Sequence, residues 1–388
     1  MADAEAVNGV AAGSIEAING VAKASIQAIN GAGLPASGAS LWCIVGEDGA
    51  VATAAGADLN AWTGYVSALM GPATQDYNTV AYGEDGSGGP MWIAVNSNNN
   101  RDIRWNADPT AGIDSWGNKN PTSSMYGATW SDGVWLAVGG NGEVWRSTSG
   151  SGSWSEIDLS GVTGWSGSDA IREVVGDGAG SFMFAQGMNV FLSTDGGETW
   201  ARVVDLAGVS YINATGYTGC SMSYTASRWC VLLRKSGQSR AYHAAASDTS
   251  TWTASTAGGS TATGQLIVST SGNVRMAAAN GVVIIASEND ISRSTDGGQD
   301  WTKYNASHPA DGALPRGSVR DIATDGSGTW ICVHDTGRVS ISTNEGLAWT
   351  EQTGNNASTG DRQRLSFPFN GTNIENLESI AANVLLPL

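Results

Sequence analysis

Short apolar runs recur along the chain at a nearly constant distance. Seven of them follow a glycine-containing turn, and successive runs are 43 to 54 residues apart. Runs this short, bounded by Gly and Asp, predict buried β-strands rather than helices. The runs begin at Trp42, Trp92, Trp135, Phe182, Trp229, Val283 and Trp330.

A second marker, a tryptophan after each apolar run, gives the same number of units. A further Trp follows each run at a similar interval, at positions 62, 116, 154, 200, 252, 301 and 349. A strand-like segment ending in Asp-Gly precedes the runs, as at 79–86, 171–178 and 319–326. Asp-Gly predicts a hairpin because both residues tolerate positive φ. One unit is therefore four antiparallel strands in about 48 residues, which is typical of a propeller blade. We predict an all-β, seven-bladed β-propeller.

The first unit predicts how the ring closes. The run beginning near Leu41 has no strand before it, whereas residues 364–371 near the other end have the shape of a strand plus a turn. We expect this C-terminal strand to complete the first blade, which leaves no open sheet edge. The propeller would then span residues 41–371, followed by a C-terminal tail, 372–388. The tail has helical composition, and it either covers the rim or touches a neighbouring molecule.

One turn between the third and fourth strands is repeated with the pattern S-x-D-x-G-x-x-W. In such a hairpin the Asp would bond turn amides, the Gly would take a positive φ and the Trp would pack between blades. Two further copies are degenerate, with Asn344 or Ser149 in place of the Asp. The complete copies are Ser193, Asp195, Gly197 and Trp200, and Ser294, Asp296, Gly298 and Trp301.

This pattern resembles the Asp-box of the BNR, or sialidase-like, propeller repeat over residues 41–371. In the sialidases of this group the resemblance implies an arginine triad that clamps a carboxylate, together with a Tyr/Glu pair and an acidic Asp. The motif that supplies the first Arg is absent, because no Arg precedes Arg101. Asp85, Asp132, Asp177 and Asp325 are explained by their turns. We therefore predict a protein with no catalytic residues, metal or cofactor. A glycoside hydrolase of sialidase-like architecture is the alternative.

Charge and composition exclude some classes of partner. The formal net charge is −17, with only 19 Lys and Arg, so a basic nucleic-acid-binding face is not expected. No apolar run approaches the length of a membrane-spanning helix, roughly 18 residues or more, so we expect no membrane insertion. The four Cys lack metal-ligand or disulfide spacing. The three His are far apart in the sequence, which favours surface or strand-end positions over metal binding.

Residues 1–30 form an arm with an 11-residue repeat, in which each repeat contains Asn-Gly. Because Asn-Gly interrupts helices, we predict short helical or irregular segments rather than one rod. The arm has too little apolar surface to fold alone, so it must lie against a partner or its own propeller. Residues 31–40 are the predicted linker to the propeller. The expected contact residues of the arm are Ile15, Ile18, Ile26 and Ile29.

The arm is similar to repeats of the "SINGVA" type in virion proteins of tailed bacteriophages. This resemblance implies a virion structural protein, made in the host cytoplasm and present in multiple copies. We predict a tail- or fibre-associated appendage whose arm binds other virion proteins and whose propeller binds a host-surface glycan or receptor. A capsid decoration or assembly scaffold is another alternative. Candidate recognition loops are 95–126 and 161–169, with Trp105 and Trp165 as ligand contacts, unless these side chains simply pack under their loops.

Overall fold

A computed structural model describes most of the propeller and small parts of the arm. The described residues are 17–18, 21–22, 28–29, 32–33, 41–46, 51–55, 59, 62–65, 76–96, 101–109, 116–206, 218–235, 238–257, 274–287, 290–305, 319–334, 338–351 and 377–382. Within the described part, the fold is all-β apart from 3-10 conformation at Gly140–Gly142 and at Leu206.

Seven sheets form the blades, and each has four consecutive antiparallel strands, except that the innermost strand of blade 1 comes from the C-terminal part of the chain and blade 6 has a fifth strand. The innermost strands of successive blades contact one another around the whole ring, and that of blade 7 contacts that of blade 1. The predicted seven-bladed β-propeller is confirmed. Blade 1 comprises Leu377–Ala382, Leu41–Gly46, Val51–Ala55 and Thr63–Tyr65; blade 2 comprises Tyr77–Glu84, Pro90–Asn96, Ile103–Asn106 and Gly117–Lys119; blade 3 comprises Met125–Ser131, Val134–Gly139, Val144–Ser147 and Ser155–Glu156; blade 4 comprises Val174–Gly176, Phe182–Gln186, Asn189–Ser193 and Ala201–Asp205.

Blade 6 differs from the others by a fifth strand. The short strand Thr256–Ala257 leaves blade 5 and pairs in parallel with the outermost strand of blade 6. Blade 5 comprises Thr218–Thr225, Arg228–Lys235, Gln238–Ala245 and Asp248–Ala254; blade 6 comprises Arg275–Ala279, Val282–Ala286, Asp290–Ser294 and Asp300–Asn305; blade 7 comprises Val319–Thr324, Trp330–His334, Val339–Ser342 and Thr350–Glu351.

The core is divided into seven hydrophobic clusters, one at each interface between neighbouring blades. The second strands, which carry the apolar runs, are buried on both faces, as in Val134–Gly139 and Trp330–His334. Each second strand therefore contributes side chains to two clusters. This explains why these strands are continuous apolar runs rather than alternating ones.

Closure of the ring by the C-terminal strand is confirmed, but the strand itself was wrongly identified. Leu377–Ala382 pairs with Leu41–Gly46 and forms the innermost strand of blade 1. The segment we expected there, 364–371, lies outside the described residues. The propeller thus includes part of the predicted tail, 372–388, and its described part is a strand rather than the helix that its composition suggested. Burial of Ile380 explains the strand conformation, because this side chain packs with Trp42 and with side chains of the seventh blade.

The described parts of the arm are minimal β-bridges, not helical turns. Ala17–Ile18 pairs with Val21–Ala22, and Ala28–Ile29 pairs with Ala32–Gly33, one repeat of the arm further on. In both, the two residues between the paired strands are Asn-Gly. The same dipeptide that we took for a helix breaker is a strong signal for a two-residue hairpin. Ile18 and Ile29 lie in these bridges, whereas Ile15 and Ile26 lie outside the described residues.

The turns between the first and second strands are of two kinds. Asp132-Gly133 and Asn280-Gly281 are two-residue turns in which both residues have positive φ, as predicted. The predicted Asp-Gly turns of blades 2, 4 and 7 are instead five-residue loops. In them one Asp carboxylate accepts backbone N–H groups two and four residues ahead, as Asp177 does from Ala179 and Ser181 at 2.8 Å. The Asp is therefore used for its oxygens rather than for its backbone.

The corresponding turn of blade 5 is strained. Ala226 and Ser227 have φ values of 51° and 56°, although neither is Gly or Asn. We expect the double substitution Ala226→Asn, Ser227→Gly to raise the free energy of unfolding by about 1 kcal/mol, because Asn-Gly favours this conformation. Urea unfolding followed by circular dichroism measures the effect. Asp132→Ala in the matched turn of blade 3 should lower the free energy of unfolding. If both changes shift it in the same direction and by the same amount, the turn of blade 5 is not strained by its residue types.

The S-x-D-x-G-x-x-W turns share one hydrogen-bond pattern. In blade 4 the Ser193 hydroxyl donates to Asp195 at 2.8 Å and accepts the Gly197 N–H at 2.8 Å. Asp195 also accepts the Thr199 N–H, and the Trp200 indole donates to the Gly197 carbonyl at 3.1 Å. Blades 6 and 7 repeat these bonds, with the side-chain oxygen of an Asn taking the place of the carboxylate in blade 7.

The glycine of this turn also sets the distance between blades. Gly197 has φ +79°, and a β-carbon there would lie 2.8 Å from Leu136 of blade 3. A β-carbon on Gly346 would lie only 2.1 Å from Ile284 of blade 6. In blade 3 the turn is one residue tighter, because Gly150 rather than Ser151 donates its N–H to Ser147. The repeated motif is thus an inter-blade contact as well as a turn.

Candidate functional site

A cavity of about 280 Å³ lies on the ring axis and is lined by the innermost strands of blades 2 to 7. Its wall contains charged residues, Arg172, Glu173, Arg275 and Asp321, among apolar and small ones. Ligands commonly bind in concave sites of this kind, although 280 Å³ is at the small end of their range. None of these charged residues was singled out from the sequence.

One residue near the start of each innermost strand occupies an equivalent position in the ring. In five strands a β-bulge directly precedes it, as between Val319 and Asp321. A bulge can redirect the side chain of the residue that follows it. In chain order the seven ring residues are Thr79, Gly127, Glu173, Ser221, Arg275, Asp321 and Ser379.

Four ring residues form hydrogen bonds to the main chain of the next blade. Thr79 donates to the Tyr126 carbonyl at 2.7 Å, and Ser221 accepts the Met276 N–H at 2.9 Å. Glu173 accepts the Met222 N–H at 3.1 Å, and Asp321 accepts the Ile380 N–H at 3.1 Å. The last of these bonds joins blade 7 to the closing strand. Both channel carboxylates therefore hold blades together.

Glu173 has an unusual protonation equilibrium. Desolvation raises its pKa from 4.5 to about 7, and the nearby negative charge of Asp321 adds to this effect. The charge of Arg275 and hydrogen bonds from Ser221 and the Met222 N–H oppose it. A carboxyl group with a pKa near 7 beside a second carboxylate is the arrangement that general acid catalysis uses. Here the same groups also have a structural role.

Arg172 lines the channel two residues before the first strand of blade 4, Val174–Gly176. Its guanidinium lies over the Tyr126 ring of blade 3, 4.6 Å from the ring centroid. Such cation–π contacts hold an Arg while leaving its donors available. This pair therefore presents a fixed positive charge at one end of the channel.

The loop 157–171 reaches the same end of the propeller, since it joins the last strand of blade 3 to Arg172. Leu159 and Ile171 are buried in the cluster between blades 3 and 4 and fix its two ends. The buried Gln186 of blade 4 spans the loop, because its amide group donates to the carbonyls of Ser166 and Asp169 at 2.8 Å. Its oxygen accepts the Ser166 N–H at 2.8 Å. The loop is thus held in one conformation without regular secondary structure.

Trp165 lies within this loop, and the structure favours the packing alternative for it. Its side chain is partly buried, packs on the cluster between blades 3 and 4, and lies against Gly142. Trp105 is a strand residue of blade 2, partly buried, with its indole against Gly117. A β-carbon on Gly117 would lie 2.2 Å from that ring. Both glycines leave room for an indole, which accounts for these tryptophans without a ligand.

The exposed residues of the loop 157–171 are small and polar. Its outer surface contains Ser160, Gly161, Thr163, Gly164, Gly167, Ser168 and Asp169. Sequence reasoning selected part of this loop, 161–169, for its off-repeat Trp. Gln186 holds the loop in place through its hydrogen bonds, and nothing in the sequence marks this residue for that role. The other candidate loop, 95–126, is described except for 97–100 and 110–115 and contains two strands of blade 2.

The described histidines are buried, so the surface alternative was wrong for them, whereas the strand-end alternative is confirmed for His334. His334 ends a strand and is fully buried, with Nε2 3.3 Å from the Ser340 hydroxyl. His243 Nδ1 lies 3.4 Å from the Ser255 hydroxyl. That hydroxyl is itself buried and donates to the Gly298 carbonyl at 2.6 Å. The His243–Ser255 pair therefore has no access to a substrate. His308 lies outside the described residues.

Three of the four cysteine thiols are described, and they lie in the core. Cys43, Cys230 and Cys332 are free and buried, and burial raises the pKa of each thiol above its ordinary value. Such thiols are poor nucleophiles and poor metal ligands at neutral pH. Among the residues that the structure describes, no three His, Cys, Asp or Glu are grouped as metal ligands would be. In the same residues, no helix has the length and apolarity needed to cross a membrane.

Comparisons with known proteins identify the fold and no family. No protein-family model and no curated protein matches the chain. The solved WD40 β-propeller domain of Doa1 is similar, with a TM-score of 0.53, 13% identity and coverage of 78% of this chain and 89% of that one. YCF48 from Cyanidioschyzon merolae has a TM-score of 0.49, 13% identity and coverage of 71% and 84%. YCF48 bound to D1 peptide has a TM-score of 0.46 and 16% identity, with coverage of 71% of this chain and 80% of that one. At these identities the likeness shows the fold alone.

Proposed function

We propose that the chain is a tail- or fibre-associated structural protein of a tailed bacteriophage, in which residues 1–30 are the anchor and the propeller recognises a host-surface glycan or receptor. The β-propeller fold supports a binding or display role in general. The "SINGVA"-type arm supports the virion, and the turns of blades 4, 6 and 7 support kinship with BNR-type propellers.

The observation that carries the recognition role is the rigid loop 157–171. Long ordered loops without secondary structure are commonly functional, because ordering them costs conformational entropy. Gln186 and Trp165 hold this loop, so binding would require little further ordering. Its hydroxyl and amide groups suit the hydrogen-bonding surface of a glycan, and Arg172 with Tyr126 lies beside them. The recognition face is therefore the end of the propeller that carries this loop.

A pair of matched substitutions tests the recognition face. Thr163 is exposed in the loop 157–171, and Thr194 is exposed in the turn between the third and fourth strands of blade 4, at the opposite end of the blade. We expect Thr163→Arg to weaken binding to a panel of bacterial surface polysaccharides at least tenfold, because a long cation obstructs the loop. Thr194→Arg should leave the affinity unchanged. Equal effects of both changes would place recognition elsewhere.

The anchoring role is tested with a shortened chain that begins at Ala39. Mass photometry of full-length and shortened protein, each mixed with purified virions or tail proteins, measures assembly directly. We expect the shortened propeller to fold and to lose assembly. If it assembles as the full chain does, the arm is not the anchor.

A sialidase-like glycoside hydrolase remains the second candidate because Glu173 and Asp321 lie in the channel wall. It predicts release of sugar from the same polysaccharides and its loss in Asp321→Asn, which keeps an oxygen for the Ile380 N–H. Binding without sugar release would favour the recognition role. A capsid decoration or assembly scaffold predicts attachment of the full chain to head proteins rather than to tails.

A further inference from the structure

Both ends of the described propeller converge on blade 1. Its second strand begins at Leu41, shortly after the arm, and its innermost strand is Leu377–Ala382. Without that strand, blade 1 has three strands and an open edge at the channel. One six-residue segment thus completes both the blade and the ring.

The described contacts of the closing strand are made by its main chain and by the side chains of Ile380, Ala381 and Ala382. Ile380 and Ala382 lie in the cluster between blades 7 and 1, and Ala381 packs on the cluster between blades 1 and 2. The Ile380 N–H is held by Asp321. All of these contacts would be made equally by the same strand from another copy of the chain. The site therefore fits a second copy as well as it fits its own C-terminus.

The connection to this strand is long enough to reach a neighbour. Residues 352–376 separate the last strand of blade 7 from the closing strand, whereas only residues 120–124 separate blades 2 and 3. A fully extended connection of this length spans about 80 Å. The advantage of pairing within one chain falls as the connection lengthens. Arms that assemble several copies would bring their first blades close together.

We propose that the closing strand is exchanged between copies, so that residues 377–382 of one chain complete blade 1 of its neighbour in the assembled protein. The exchange would lock anchored copies to one another without a disulfide. The inference uses the proposed function only in that the arm brings copies together.

Cys43 provides a site-specific test, because Ala381 is its cross-strand partner. Cα atoms of directly opposite residues in an antiparallel pair lie about 4.5–5.5 Å apart, which suits a disulfide. A tagged full-length donor chain carries Cys43→Ser and Ala381→Cys. The acceptor is the untagged natural chain, which retains Cys43. A disulfide between positions 381 and 43 can then form only when the donor strand enters the acceptor blade.

Donor and acceptor are co-expressed in an oxidising compartment, so that the bond forms as the chains fold. The tagged donor is then purified under denaturing, non-reducing conditions, and linked acceptor peptides are identified by mass spectrometry. The matched control donor carries Cys43→Ser and Ala382→Cys, whose new thiol faces the other side of the strand. We expect at least ten times more linked acceptor with the Ala381→Cys donor than with the Ala382→Cys donor.

A single chain with Ala381→Cys and its natural Cys43 completes the experiment. If it forms the bond internally while the two donors capture equally little acceptor, closure is within one chain and the exchange is refuted. If no disulfide forms in any combination, the proposal fails as well. Repeating the capture with chains that begin at Ala39 separates strand exchange from the anchoring role of the arm. If the full-length protein does not bind virions but the donor still captures acceptor, only the anchoring role is refuted.

Discussion

Replacing Trp301 by Ala is expected to lower the free energy of unfolding by about 3–5 kcal/mol, the usual cost of removing a large buried aromatic side chain. Trp301 is 2% exposed and lies in the cluster between blades 5 and 6. Its indole also donates to the Gly298 carbonyl at 2.9 Å, at the turn that contacts Cys230 of blade 5. The substitution removes packing from both blades and one of the two hydrogen bonds to that carbonyl, which still accepts the Ser255 hydroxyl.

Chemical denaturation followed by circular dichroism measures the loss, because fluorescence would change with the Trp itself. Trp200→Ala should have a similar effect, since Trp200 occupies the same place between blades 3 and 4. Leu347→Ala is the control: this side chain is 44% exposed, and its loss should cost less than about 0.5 kcal/mol. A Trp301→Ala effect as small as that of Leu347→Ala would show that the turns do not hold the blades together.

The periodic part of the fold could be predicted because each blade repeats the same physical requirements. A second strand buried on both faces must be apolar, and a turn that approaches the preceding blade must contain Gly. These demands recur at every interface, so Trp and Gly positions give the number of blades and their phase. Blade 3 departs from this spacing, since Gly150 makes the bonds to Ser147 and Trp154 one position before Ser151, where the pattern places the Gly.

The closing strand and the arm were misjudged because their sequences are short and locally ambiguous. Leu377–Ala382 is rich in Ala and follows Asn and Glu, which favours a helix when tertiary contacts are ignored. Its strand conformation comes from the open edge of blade 1, which lies near the other end of the sequence. In the arm, Asn-Gly fits a helix stop or a hairpin equally well.

The channel ring was missed because its seven positions hold six different residue types. Thr79, Glu173, Ser221 and Asp321 share only the ability to bond the next blade, through a hydroxyl in two cases and a carboxylate in the others. A search for one residue type finds no repeat there. When the seven innermost strands are aligned by their place in the blade, this position is a mostly polar column with two acids and one Arg.

Glu173 is expected to make the propeller less stable as the pH rises from about 5 to 8. Its pKa is about 7 in the folded protein and near the ordinary value of 4.5 when unfolded, so the folded state binds the proton more strongly. Between these two pKa values the unfolded chain has already lost the proton and the folded chain keeps it. The stabilising contribution is therefore present below pH 4.5 and is lost as the pH rises through 7. The loss is on the order of 2 kcal/mol.

Glu173→Gln isolates this effect because its oxygen can still accept the Met222 N–H, while its side chain no longer titrates. The stability of the natural protein minus that of the Gln variant should fall by about 2 kcal/mol between pH 5 and 8. Taking this difference cancels the contribution of His243 to the pH dependence. The pKa of His243 is lowered mainly by desolvation, so below about pH 6.5 its contribution to stability rises with pH, opposite to that of Glu173. The carboxylates with lowered pKa values, such as Asp195, act at lower pH and cancel too.

Glu173→Ala separates the structural role of this side chain from its charge. It leaves the Met222 N–H without an acceptor in the channel wall and removes the side chain whose protonation stabilises the folded state, so we expect a loss of about 3 kcal/mol at pH 5 and a smaller loss at pH 8. Thr79→Val is the matched control, because it breaks one inter-blade bond to Tyr126 without changing charge. If Glu173→Ala costs no more than Thr79→Val and the Gln variant shows the natural pH dependence, the carboxyl is not the titrating link between blades 4 and 5. If the differences are as expected, a single proton controls the strength of that interface near neutral pH.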